Sequence, residues 1–264
     1  MAYETFIYEV EDGIATLRLN DPKTLNALTF KTYEELERLT RDLADDAAVQ
    51  VLVITGAGKG FCSGGSLHEI IAKLIEMKGD SLYRFTRMSC DVVKNMRALK
   101  KPIIAAVNGI AAGAGAMLAL ASDFRVVSTN ARFAFLFVKV GLAGADMGAI
   151  HLLPRIVGQG RATELLMLGE AIDAQEAWRI GLANRVVRHE ELLDEAYAFA
   201  RRLKEGPLYA MGVTKQLLNR EMQMELEAAL EMEARAQAIC MENADFREGY
   251  RSIVEKRPPL FNRG

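Results

Sequence analysis

Asn108-Gly109-Ile110-Ala111-Ala112-Gly113-Ala114-Gly115-Ala116 joins an apolar strand-like stretch, Pro102–Val107, to an apolar helix-like one that runs to Ala121. A helix that begins in such a loop aims its unpaired backbone N–H groups at whatever occupies the space before it. A second segment, Gly60-Phe61-Cys62-Ser63-Gly64-Gly65-Ser66, likewise lies between a strand, Val49–Thr55, and a helix-like stretch. Two loops of this kind converging on one oxygen atom make an oxyanion hole out of main chain.

Outward from these loops, the first half of the chain alternates strand and helix. Phe6–Val10 and Ile14–Leu19 read as strands of a hairpin turning at Glu11-Asp12-Gly13. Thr29 is placed to N-cap a helix from Phe30 to about Asp45, with Leu36, Leu39 and Leu43 on one face. A helical region from about Leu67 to Leu99, broken near Gly79-Asp80, precedes Pro102, and a short strand, Phe124–Val127, follows Ala121. The alternation predicts an α/β fold with parallel strand pairing and helices on both faces. From Asp146 onward the pattern turns to near-continuous helix: Met147–Val157, Arg161–Leu168, Ala174–Ile180, Leu192–Lys204, Pro207–Leu218, Met222–Asn243 and Phe246–Val254. One short strand, Arg185–Val187, interrupts it. Gly206-Pro207 reads as a hinge dividing the chain into segments 1–206 and 207–264.

With 264 residues, half of them hydrophobic, the chain has enough material for a sizeable core. A formal charge of −2 excludes nucleic acid as the principal partner. Cys62, Cys90 and Cys240 are too few and too scattered for a disulfide framework or a zinc cluster, so no metal is expected and a reducing, cytoplasmic compartment fits. Met1-Ala2-Tyr3-Glu4-Thr5 lacks the basic and apolar regions of a secretory signal. Pro102–Ser122 carries no charge and approaches membrane-spanning length. It contains Pro102, Asn108, Gly109, Gly113 and Gly115, however, and divides into strand, loop and helix, which suits two buried elements of an α/β core and no membrane span.

The ordered set of motifs carries a family likeness. Asn20-Asp21-Pro22-Lys23-Thr24-Leu25-Asn26-Ala27-Leu28 comes first, then Gly60-Phe61-Cys62-Ser63-Gly64-Gly65, then Lys101-Pro102-Ile103-Ile104-Ala105-Ala106-Val107-Asn108-Gly109 and Gly113-Ala114-Gly115. Ala121-Ser122-Asp123, Leu153-Pro154-Arg155, Gly181-Leu182-Ala183-Asn184-Arg185-Val186-Val187 and Glu255-Lys256-Arg257-Pro258-Pro259-Leu260-Phe261 follow. Taken together they resemble the crotonase family, the enoyl-CoA hydratases and isomerases, over nearly the full length. The resemblance implies a spiral of repeated ββα units in segment 1–206. Segment 207–264 would be a helical region for trimerisation and active-site cover, giving a homotrimer or a dimer of trimers. It also implies acyl-CoA thioester substrates, with coenzyme A carried in the substrate and no separate cofactor. By position, the backbone N–H groups of Gly65 and Ala114 are the donors to the thioester oxygen. Preorganised donors of this kind stabilise an enolate by about 3–4 kcal/mol each.

The chain departs from the hydratase pattern where that pattern has two glutamates. Met117 and Phe137 stand at those positions, and neither moves a proton, so the two-carboxylate activation of water is closed. Asp146, in Gly141-Leu142-Ala143-Gly144-Ala145-Asp146-Met147-Gly148, resembles the aspartate of family isomerases that carry Asp-x-Gly here. It has two readings: N-cap of the following helix, or acid and base. Ser66 with Glu69 has capping-box spacing, and His68 and Glu69 lie where they could face an acyl pocket. Cys62 reads as a small buried hydrophobe at the edge of the substrate site, beside Ser63. Phe133, Phe135 and Phe137 alternate at strand period, with Phe137 a candidate apolar pocket wall. Lys23 and Lys256-Arg257 are the candidate partners of the coenzyme's phosphates. Together these predict double-bond isomerisation with Asp146 as acid and base. The alternatives are hydration or lyase chemistry using Asp146 with His68 or Glu69, nucleophilic attack by Asp146, and a catalytically silent acyl-CoA-binding protein.

Overall fold

Residues 3–262 are described by the computed structural model, so the outermost ends of segments 1–206 and 207–264 lie outside the described residues. Strands β1 (Phe6–Glu11) and β2 (Ile14–Leu19) form the expected hairpin. Asp12 and Gly13 turn it in the left-handed region that a two-residue hairpin needs. From β2 the sheet grows by parallel pairing through β3 (Val51–Gly56), β4 (Ile103–Val107), β6 (Phe124–Ser128) and β9 (Arg185–Val187). A smaller sheet joins β5 (Ile110–Ala112), β7 (Arg132–Ala134) and β8 (Ile172–Asp173). A bridge between Cys62 and Ala111 extends it by one more turn of chain. Each turn thus lays one strand in the large sheet, then one in the small sheet, then a helix: the spiral of ββα units expected from the resemblance. β5 and β8 were not legible as strands, because two or three residues are too short for a period to show.

Helix α1 (Phe30–Asp42) starts where Thr29 predicts: Thr29 Oγ1 accepts from the Thr32 N–H, and Thr32 Oγ1 accepts from the Thr29 N–H. Its buried face carries Tyr33, Leu36 and Leu39. Along β3, Leu52 and Ile54 enter the core that holds α1, while Val51 and Val53 enter a second core. That second core is closed by Leu192, Ala196, Ala200 and Leu203 of α8 (Leu192–Lys204). This is the period-two alternation of a strand buried on both faces. The long helical region resolves into a π-helical turn at Leu67–Ile71, α2 (Ala72–Glu76) and α3 (Asp80–Ala98). The uncharged stretch after Pro102 becomes β4, β5 and α4 (Ala114–Ala121), and no described helix is long and apolar enough to cross a membrane.

The strand reading of Phe133, Phe135 and Phe137 fails after Ala134, where the chain leaves β7 for a 3-10 turn at Leu136–Val140. All three rings are nonetheless buried, so burial rather than strand geometry set their spacing. Helices α5 (Ala149–Val157), α6 (Gln159–Leu168), α7 (Ala174–Arg179), α9 (Leu208–Arg220), α10 (Leu226–Glu242) and α11 (Ala244–Glu255) complete the helical half. α9 is fastened to the core by buried Lys215, whose ammonium meets Asp123 Oδ2 at 2.7 Å and donates to the Lys101 carbonyl at 3.1 Å. Every residue of α10, by contrast, keeps solvent exposure.

Candidate active site

Leu28 positions the first loop. Its N–H donates to the Gly64 carbonyl at 2.7 Å, and its own carbonyl accepts from the Ser66 N–H at 2.8 Å. Both bonds lie on one side of the chain. Successive groups of an extended segment face opposite ways, so the intervening Gly65 N–H turns away from Leu28. On that other side lies the second loop: the Cys62 N–H donates to the Ile110 carbonyl and the Ala112 N–H to the Cys62 carbonyl, each at 2.9 Å. Gly113 then enters the left-handed region at φ 49° while its N–H is taken by the Ala134 carbonyl. α4 therefore begins with the Ala114 N–H at its first position. Among the described residues, neither the Gly65 nor the Ala114 N–H has a backbone acceptor.

The two loops touch because they lack side chains where they meet. Gly64, at φ 99°, would place a Cβ 2.9 Å from the Ala112 carbonyl oxygen and 3.7 Å from Ala114 N. A Cβ on Gly115 would fall 2.1 Å from the Cys62 carbonyl oxygen, a contact no folded chain tolerates. Two buried asparagines brace the assembly from below. The Asn26 amide donates to the carbonyls of Ala57 and Gly60 at 2.9 and 2.8 Å, and the Asn108 amide to those of Gly58 and Gly60 at 3.0 Å each. These are the landmark asparagines of the sequence, and their role is to fix the carbonyls of the turn ahead of Phe61. The apolar α4 is buried along its whole length, which keeps its positive end in a dry setting where it acts strongly on negative charge.

Asp146 does not cap α5. Met147 and Gly148 both take left-handed conformations, at φ 47° and 84°, so the helix starts two residues later, at Ala149. The Asp146 side chain is left half-buried on the turn. Its Oδ1 accepts from the Met147 N–H at 2.9 Å, and among the described residues Oδ2 accepts nothing. Burial raises the proton affinity of this carboxyl above that of an ordinary aspartate, and the Met147 N–H only partly offsets it. α5 packs on α4. Two groups missed by the sequence reading lie within the electrostatic reach of Asp146: Tyr33 of α1 and Cys90 of α3. Each is pushed up first by burial and further by the Asp146 charge. A tyrosine within the apolar stripe of α1 was the available signal, since its hydroxyl needs somewhere to go.

The remaining predicted residues divide clearly. Met117 and Phe137 are buried among the apolar residues of the main core. Cys62 is sealed in that core, its thiol pushed up to about 12 by burial, which is packing and not reactive chemistry. Ser63 is tied to the Lys23 turn: its N–H donates to the Leu25 carbonyl at 2.9 Å and its Oγ to the Thr24 carbonyl at 2.8 Å. This leaves Lys23 exposed on the rim of the Gly65 loop. Ser66 caps as expected, accepting from the Glu69 N–H at 3.2 Å, but its own N–H goes to Leu28, so the reciprocal half of the capping box does not form. His68 and Glu69 are exposed on the π-helical turn. Lys256 sits at the end of α11, exposed, with no tie to the Gly65 loop among the described residues. Arg257 is committed to Glu248 and Glu255, each at 2.6 Å, which removes it as a free phosphate partner.

Comparison with known proteins agrees with this frame. A family model for enoyl-CoA hydratase/isomerase matches residues 9–264. The chain is 38% identical over 262 residues to the crotonyl-CoA hydratase of Syntrophomonas wolfei, covering 99% of each. It is 36% identical over 258 residues to the 1,2-epoxyphenylacetyl-CoA isomerase of Escherichia coli K12, covering 98% of each. A solved structure from Streptomyces coelicolor A3(2) superposes with a TM-score of 0.96 at 47% identity, covering 99% of this chain and 95% of that one. An enoyl-CoA hydratase from Polaromonas sp. JS666 gives 0.91 at 31%, covering 97% and 99%. The chain belongs to the enoyl-CoA hydratase/isomerase family.

Proposed function

We propose that this enzyme holds an acyl-CoA thioester with its carbonyl oxygen between the Gly65 and Ala114 N–H groups, and moves a double bond along the acyl chain with Asp146 as acid and base. The Asp146 carboxylate takes a proton from C2 of a 3-enoyl thioester. The electrons of that C–H bond pass into the C1–C2 bond, and the negative charge settles on the oxygen between the two donors. The protonated carboxyl then returns the proton at C4, leaving the double bond between C2 and C3. The observation that carries the reading is the state of Asp146: half-buried, with raised proton affinity and an unengaged oxygen. A carboxyl so placed works as acid and base near neutral pH better than a solvated one. Hydration lacks support from the same surroundings, because Met117 and Phe137 replace the two carboxylates and His68 and Glu69 face solvent.

The test is product analysis by NMR in deuterated water with 3-enoyl and 2-enoyl CoA substrates of matched length. The expected result is double-bond movement with deuterium entering C2 or C4 and no 3-hydroxyacyl product. A 3-hydroxyacyl product would replace isomerisation by hydration, and an Asp146-linked adduct in mass spectrometry would replace it by nucleophilic chemistry.

Coenzyme A belongs to the substrate in this reading, with Lys23 on the rim as a phosphate partner and a cytoplasmic setting for the three free thiols. Residues 207–264 serve assembly and cover the site. Supporting this, Leu226 and Leu230 of α10 and Tyr250 and Ile253 of α11 are each exposed, and clustered exposed apolar side chains mark an interaction face. The partner is a second and third copy of the chain, which would also carry Lys256 toward a neighbouring site. Light scattering is expected to give a trimer, or twice that, of the 29.1 kDa chain. Leu226→Glu with Ile253→Glu is expected to shift it to monomer. A monomeric wild type would dismiss the assembly.

A further inference from the structure

A cavity of about 430 Å³ opens between α3, α8 and α9, against the first residues of β4 and β6. That volume is in the range of small-molecule sites. The cavity lies away from the candidate active site. Gly65 and Ala114 follow the carboxyl ends of β3 and β4, whereas Pro102 and Phe124 of the cavity stand at the amino ends of β4 and β6. The length of β4, about 13 Å at the usual rise of a strand, separates the two ends.

Apolar wall and charged lining occur together here. Phe124, Leu203, Met211 and Leu218 supply much of the wall. Arg97, Asp123 and Lys215 line it as an ionic cluster, and Lys100 joins them on the exposed side. Lys215 is only 7% exposed. Its ammonium carries three N–H donors, and Asp123 Oδ2 and the Lys101 carbonyl take two of them. Among the described residues the third has no acceptor. Arg97 is spent on Asn219, the Ala121 carbonyl and Asp123, and Asp123 Oδ2 also accepts from the Ile103 N–H at 2.8 Å. The buried part of the lining therefore holds two cations against one carboxylate.

Uncompensated charge away from water is costly. Burial accordingly lowers the proton affinity of Lys215, and Asp123 only partly offsets it. A molecule that is apolar along its length and carries one negative charge at its end complements both features. A single carboxylate cancels the buried surplus, while the second charge of a phosphate would find no buried partner.

We propose that this cavity is a second ligand site, for an amphipathic carboxylate of the free fatty acid class, whose head accepts from the open donor of Lys215 and whose chain lies along Phe124, Leu203, Met211 and Leu218. The site needs no coenzyme A and is independent of the reaction at Asp146.

Calorimetry with octanoate and octanol tests it. Wild type is expected to bind one octanoate per chain about tenfold more tightly than octanol, the worth of one charge-assisted hydrogen bond. Saturating hexanoyl-CoA is expected to leave octanoate affinity unchanged, because the two sites are separate. Lys215→Met is expected to reduce octanoate to the affinity of octanol. Lys215 also fastens α9, so Lys100→Glu, at an exposed position, gives a second reading: octanoate weakens at least about threefold and octanol does not. Thr214→Trp, exposed on the same lining, is expected to abolish binding of both while the thermal midpoint of the free protein stays near that of wild type. The proposal is overturned if wild type binds no octanoate, as when a second copy of the chain covers the cavity, or if octanol binds equally well. Displacement of octanoate by hexanoyl-CoA, or wild-type octanoate affinity in Lys100→Glu or Thr214→Trp, overturns it too.

Discussion

Asp146→Asn lowers kcat with a 3-enoyl-CoA by about 10²–10⁴-fold, the range spanned by a positioned acid–base group, and at the same time raises the thermal midpoint. The amide keeps the shape of the carboxyl and can still accept from the Met147 N–H, but it cannot take or return a proton. The stability gain follows from the sign of the shift. Burial places the folded-state pKa of Asp146 above its unfolded value, so the native state binds this proton more tightly than the unfolded chain does. Below the unfolded pKa both states are protonated and the residue costs nothing. Above the folded pKa the full penalty of an ionised, half-buried carboxylate falls on the native state, and it persists to neutral pH. Asparagine removes that penalty. The same shift sets the acid limb of the pH–rate profile: kcat/KM falls tenfold per unit below a pKa higher than that of a free aspartate, and the residual activity of Asp146→Asn lacks this limb. Full activity in Asp146→Asn would remove the residue from the mechanism. A lowered midpoint would mean that its charge is satisfied in a way the structure does not contain.

The sequence resolved this site unevenly, for physical reasons. The glycine loops were legible because close approach of backbone leaves a compositional trace: only glycine fits at Gly115 against the Cys62 carbonyl. The long strands and helices were legible from period, as with β3 alternating between two cores. What escaped was decided by contacts remote in sequence. Tyr33 reads as one more core position of α1 until the fold brings it within reach of the Asp146 charge. The start of α5 escaped because Met147 adopts a left-handed conformation unusual for a residue with a side chain. That conformation separates Asp146 from the helix and removes the capping reading: the side chain bonds only the adjacent N–H. Likewise Arg257 looked free for phosphate until Glu248, nine residues away, closed on it.

Deleting a single hydrogen at Ala114 tests the other half of the proposed site. Replacing Ala114 by lactic acid, so that an ester stands in for the amide, keeps the shape of the loop, puts an oxygen in place of the N–H and somewhat weakens the Gly113 carbonyl that accepts from the Met117 N–H. If that hydrogen meets the thioester oxygen, kcat falls by about 10²–10³-fold, the loss seen when one oxyanion donor is removed. Affinity for a saturated acyl-CoA should fall far less, because a neutral carbonyl is a weaker acceptor than the enolate oxygen that forms from it. Ala114→Pro offers a genetic version, since proline is tolerated at the first position of a helix, where the N–H has no partner within the helix. Its ring adds bulk beside Gly64, whose own Cβ position lies 3.7 Å from Ala114 N, so the ester is the cleaner variant. The competing explanation, that these glycines and alanines serve only close packing, makes the opposite prediction. Packing is indifferent to one hydrogen, and an ester variant with kcat within about threefold of wild type would leave the converging loops as architecture alone.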